Sequence, residues 1–181
     1  MRGGASWPSF LVMTVAVAAA AALQEFLPPA GALRLKLPLL SGVAVYYAMR
    51  REGKFAAVAA VWCGAAEDGL SGVPGAASLV VLCAAAALLS RKIKPQMEEG
   101  ALSCAVCGAA LAPALSAVQY FALRLGGMAP LPAWFAGARV AAAVPAGFAA
   151  SLAAAWALRA LDWVSANVGS GEEDNDAFDA A

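Results

Sequence analysis

The chain has 181 residues, 62% of them hydrophobic and 13% charged, with twelve Lys and Arg against twelve Asp and Glu and no histidine. A mean hydropathy of +0.73 and a charged fraction well below the soluble average of about 25% exclude an ordinary soluble domain. The balanced charge points to neither nucleic acid nor an acidic partner, and the missing histidine removes the commonest general base and metal ligand near neutral pH.

Apolar runs cover 7–27, 37–49, 55–66, 73–90, 101–123 and 136–161, and a spanning helix needs about 20 residues. Six spans then use most of the chain, which predicts an all-α polytopic membrane bundle over 1–165. The first run follows Arg2 and carries small residues at Ala20 and Ala22, as a cleaved signal peptide does. Gln24, Glu25 and the Pro28-Pro29 pair fit a span ending at an interface equally well, and five more runs follow.

The second and third runs are short enough for a re-entrant hairpin. Its tip, Arg50-Arg51-Glu52-Gly53-Lys54, would then lie at the bilayer centre, where each cation costs at least about 2.5–3.5 kcal/mol. Both runs are therefore expected to cross, the second extended back to Ala30 and the third forward to Leu70, with Arg34 and Lys36 snorkelling to one interface. Tyr46, Tyr47, Trp7, Trp134 and Trp163 fall near expected helix ends, where amphipathic rings settle at headgroup level.

The cations divide unequally. Arg2, Arg50, Arg51, Lys54, Arg91, Lys92, Lys94 and Arg159 lie on one side of a six-span chain, and Arg34, Lys36, Arg124 and Arg139 on the other. The positive-inside bias then places both termini in the cytoplasm. The last stretch, 166–181, is acidic with almost nothing to bury and is expected to form a disordered cytoplasmic tail.

Between the third and fourth runs lies Glu67-Asp68-Gly69-Leu70-Ser71-Gly72-Val73-Pro74-Gly75, a chain reversal. Its glycines permit positive φ, proline suits the first turn of the following helix, and Asp68 can accept backbone N–H bonds in the turn. Asp68 reads either as a turn cap or as a partner or ligand contact. Gln24 reads either as an interhelical hydrogen-bonding group or as an interfacial residue. Cys104 and Cys107 have half-site spacing but no second pair and no histidine to complete a zinc site, and the four cysteines read as small packing residues. Pro113 and Pro145 fall inside the fifth and sixth spans, where kinks are tolerated. No Ser-His arrangement, carboxylate-metal motif or phosphate-cradling loop is present, so no catalytic residue, cofactor or metal is expected. Alanine-rich helix faces, in contrast, allow close helix association within lipid.

The first half of the chain resembles the rod shape-determining MreD family. The residues that carry the resemblance are Leu23-Gln24 at the end of the first span, Leu35-Lys36-Leu37-Pro38 opening the second, Tyr46-Tyr47-Ala48-Met49 before the basic turn, then Gly64, Asp68, Leu70-Ser71-Gly72 and Pro74-Gly75. It covers about 23–82, and beyond that only the pattern of spans agrees. The chain departs from the family at Glu67, where an apolar residue is usual, and at Gly69, where a bulky one is usual. The resemblance implies a fold like that of the substrate-binding subunits of energy-coupling-factor vitamin transporters and a bacterial inner-membrane location. It also implies a non-enzymatic scaffold that binds an MreC-type bitopic protein within an elongation complex containing an MreB-type filament, supporting cell shape and peptidoglycan synthesis. Gln24, Asp68, Ser71, Gly72, Pro74 and Gly75 are the candidate residues, for partner binding or for the turn itself. The alternative is the substrate-binding membrane subunit of a vitamin transporter, for which the spans offer Gln24, Gln119, Tyr120 and some serines as polar groups.

Overall fold

Alanine and leucine, the strongest helix formers, are frequent in the apolar runs, and each run becomes a helix. A computed structural model describes residues 7–29, 35–51, 53–73, 75–97, 100–128 and 132–178, with the side chains of all but 7–8 and 164–178. The elements are α1 (Trp7–Phe26), α2 (Leu39–Arg50), α3 (Gly53–Ser71), α4 (Ala77–Leu88), α5 (Ala101–Leu125) and α6 (Ala133–Phe178). A π-helical turn (Leu89–Ile93) and a 3-10 turn (Lys94–Gln96) carry α4 onward. The all-helical expectation holds. Among the described residues three helices are long and apolar enough to cross a membrane: Ser9–Phe26, Ala101–Leu125 and Ala133–Trp163.

The second helix differs from its expected extension. Residues 35–38 are not helical and α2 starts only at Leu39. Pro38 has no N–H to donate and biases Leu37 away from the α region, so the helix starts after the proline instead of reaching back to Ala30, which together with Arg34 lies outside the described residues. At 12 residues, α2 is about 18 Å long, against a hydrocarbon core of about 30 Å. The forward extension of the third run does occur, since α3 reaches Ser71.

Every residue of α2 from Leu40 to Met49 is buried. A helix that is apolar all round belongs in an interior, and α2 is enclosed by α1, α3, α4, α5 and α6. This overturns the expected interfacial placement of Tyr46 and Tyr47, each only 1% exposed and packed edge to face with ring centroids 5.6 Å apart. The two rings fill the middle of the bundle because α2 is too short and too central to carry them to a surface. Trp134 and Trp163 are exposed, as anchors require. Cys63, Cys104 and Cys107 are buried and Cys83 half-buried.

Close helix approach rests on glycine. A Cβ at Gly64 of α3 would lie 2.4 Å from the Leu79 Cα of α4, and one at Gly147 of α6 would lie 2.5 Å from the Gly108 carbonyl oxygen of α5. No side chain fits between backbones that near, and their approach supplies the van der Waals packing that associates helices in lipid. The pairing of α5 with α6 is the most extensive in the bundle.

Successive helices alternate in direction, so one end of the bundle collects the C-terminal parts of α1, α3 and α5 with the N-terminal parts of α2, α4 and α6. Beyond Trp163 the α6 backbone is helical to Phe178. No proline follows Pro145 to stop the helix.

Candidate functional site

The buried face of α3 recurs at Ala56, Ala59, Ala60, Cys63, Gly64 and Glu67, a helical stripe that ends on a carboxylate. Glu67 is 7% exposed and Gln24, reaching in from α1, is 4% exposed. Gln24 Nε2 donates to Glu67 Oε2 at 2.8 Å, and its Oε1 accepts the Leu40 N–H at the start of α2 at 3.3 Å. One amide thus ties three helices together, and the interhelical reading of Gln24 is the one the geometry shows. From α5, Gln119 Nε2 donates to the Ser78 hydroxyl oxygen at 2.9 Å and to Glu67 Oε1 at 3.4 Å.

Asp68, one residue on, points to α4. Its Oδ1 accepts the Ser78 N–H at 2.8 Å and its Oδ2 the Leu79 N–H at 3.0 Å. These are orphan donors of the first turn of α4, and Ala76 before it makes no side-chain cap. The aspartate therefore does from the preceding helix what an N-cap residue does locally. The turn between them uses positive φ at Gly72 (+63°) and Gly75 (+85°), and also at Ala76 (+55°), a left-handed conformation that costs a non-glycine residue energy. Ser71 and Gly72 are exposed, and Pro74 lies outside the described residues.

Beside this network opens a cavity of about 370 Å³, lined by Gln24, Glu25, Lys36, Glu67, Ser71, Ser116, Gln119, Tyr120 and Arg139 among apolar neighbours. Lys36 is paired with Glu25. The cavity gathers the polar groups that were scattered along the sequence (Gln24, Gln119, Tyr120 and serines) into one place, and adds Glu67 and Arg139. Comparison with family models, with curated proteins and with solved structures found no match to this chain. The site is therefore read from its own residues.

A second polar cluster lies toward the other end of α2. The Tyr46 hydroxyl donates to Asp162 Oδ2 at 2.7 Å, Arg51 forms an ion pair with Asp162 Oδ1 at 3.1 Å, and Lys94 Nζ donates to the Arg51 carbonyl oxygen at 3.3 Å. It links α2, the turn after α4, and α6.

Of the sequence candidates, the structure brings Gln24 to the network, Asp68 to the start of α4 beside it, and Ser71 to the cavity wall. Glu67, Arg139 and Asp162 were not singled out as site residues. Glu67 was legible in principle, because it continues the alanine and cysteine stripe of α3 at helical spacing. Asp162 and Arg139 were not, since their neighbours lie on other helices. Among the described residues no group of three His, Cys, Asp or Glu side chains is placed to hold a metal.

Proposed function

We propose that the protein is a six-span inner-membrane scaffold of the MreD type, non-enzymatic, with both termini cytoplasmic, holding an MreC-type bitopic partner and coupling it to cell-wall elongation. The observation that supports docking of a single partner span is the outer face of α1. Met13, Ala16, Val17 and Ala20 face the bundle, where α1 packs chiefly against α2 and α3. Leu11, Val15, Ala18, Ala19 and Ala22 face outward at helical spacing, leaving a narrow apolar stripe with small residues, suited to close van der Waals approach by another helix. The clustering of Arg51 and Lys94 at the end opposite the cavity supports the cytoplasmic assignment of that end through the positive-inside bias.

Co-purification in mild detergent tests this. The partner should be recovered with the wild-type chain and lost when Ala18 and Ala22 are both replaced by Leu, while the variant stays monodisperse. Reporter fusions after Leu70 and at Ala181 should report opposite compartments, and matching signals would remove the topology.

The polar cavity favours a second reading, the substrate-binding subunit of a small-molecule transporter. Recovery of an ATPase module in place of wall-synthesis components would decide for it.

A further inference from the structure

Beside the Lys36–Glu25 pair, the cavity is lined by two further opposite charges, Glu67 and Arg139, that form no ion pair with each other. Glu67 is buried, and its carboxylate receives hydrogen bonds from two neutral amides, Gln24 and Gln119, with no Lys or Arg at ion-pair distance among the described residues. Arg139, on α6, lines the same cavity and makes no hydrogen bond or ion pair to any described residue. A carboxylate withdrawn from water without a cation carries a desolvation penalty, and ionisable groups retained inside a membrane protein mark ligand or ion paths. The cavity also has the size of small-ligand sites, which run from about 300 to about 1,000 Å³.

From this we propose that the cavity binds a zwitterion bearing a primary ammonium and an oxyanion, the ammonium on Glu67 and the oxyanion on Arg139. Guanidinium suits an oxyanion because its planar fork gives paired, charge-assisted hydrogen bonds. The Glu67 carboxylate suits an ammonium that still carries N–H donors, since each of its oxygens has a further lone pair beyond the bond it takes from an amide. Ser116 and Gln119 stand on the wall as neutral polar partners. Phosphoethanolamine has this chemistry, either free or as the headgroup of a phospholipid. The inference rests on the cavity alone and is independent of the scaffold reading.

The test uses the full chain in lipid nanodiscs. Native mass spectrometry from discs of equal phosphatidylethanolamine and phosphatidylcholine should show the ethanolamine lipid retained at least about tenfold over the choline lipid, whose ammonium has no N–H. Alternatively, O-phosphoethanolamine titrated calorimetrically into phosphatidylcholine discs should bind, which would identify the free zwitterion as the source. Glu67→Gln and Arg139→Gln should each reduce whichever signal appears by about tenfold, and Arg139→Lys should restore part of it. Arg139→Gln removes no hydrogen bond or ion pair to the described residues, so its unfolding temperature should match wild type and the result stays readable if the Glu67 variant folds poorly. Absence of both signals in the folded wild-type protein overturns the proposal, as does wild-type binding by Arg139→Gln. Loss of partner co-purification with ligand binding intact would instead count against the scaffold alone.

Discussion

The polar networks toward the two ends of α2 answer charge in different ways. At the C-terminal end, Asp162 meets a cation and a hydroxyl, Arg51 and Tyr46. At the N-terminal end, among the described residues, Glu67 meets only neutral amides beside a cavity that Arg139 also lines. The first arrangement pairs its carboxylate with a cation and reads as a clasp between α2 and α6. The second is incomplete within the described residues and leaves room for another molecule. Stability and binding should therefore separate between the two ends.

The largest effect should come from prising apart the helices that carry the cavity network. In Gly64→Ala the new Cβ would meet the Leu79 backbone, which cannot rotate away, and overpacking of this kind costs about 1–3 kcal/mol and sometimes more. We expect the upper end of that range, read as loss of monodisperse protein and a lowered unfolding temperature in detergent. A variant as stable as wild type would show that α3 and α4 do not cross this closely.

The clasp comes next. Tyr46→Phe removes the hydroxyl and leaves Asp162 with its Arg51 partner, so about 1 kcal/mol is expected. Asp162→Leu leaves the buried Tyr46 hydroxyl without this acceptor, at about 1–3 kcal/mol, while the partly exposed Arg51 pair adds little. Thermal unfolding of the two variants should rank them in that order, and the reverse order would break the description of Asp162 as the centre of the cluster.

Asp68 should fall close behind. Asp68→Leu strips two N–H groups at the start of α4 of their acceptor and is expected to cost about 1–2 kcal/mol, as loss of a helix cap does, with reduced accumulation. Asp68→Asn keeps one acceptor oxygen and should be milder. If both variants fold normally and the Asn variant is as inactive as the Leu variant in partner recovery, the charge itself is the functional element.

The smallest stability change is expected at Glu67. Glu67→Gln gives up a charge-assisted acceptor and also removes a buried charge that lacks a cation, and these effects oppose each other. A change within about 1 kcal/mol is expected, with ligand binding falling as described above. A large loss of stability would move Glu67 to the same class as Asp162 and erase the contrast between the two ends.

Much of this was legible along the chain, and the illegible part has a common cause. The helices, the turn at Gly72 to Gly75 and the capping capacity of Asp68 follow from local chemistry: helix propensity, glycine at positive φ, and a carboxylate close to unsatisfied N–H groups. The start of α2 was legible too, in Pro38, but the need for a full-length span outweighed it. Tyr46 and Tyr47 stand near the end of an apolar run, where an interface is expected, and no local signal says that this run is enclosed by five others.

The residue order alone therefore determined an all-helical, lipid-compatible chain, its helices, and the polar residues available to it. Those properties depend on side chains a few positions apart. Only the tertiary structure decided that α2 lies at the centre, that Gln24, Glu67 and Gln119 meet across 43 and 52 residues of chain, and that Arg139 shares their cavity. Which helix faces meet is set by glycine-mediated approach and by burial against neighbours distant in sequence, and no periodicity within one helix encodes its partner.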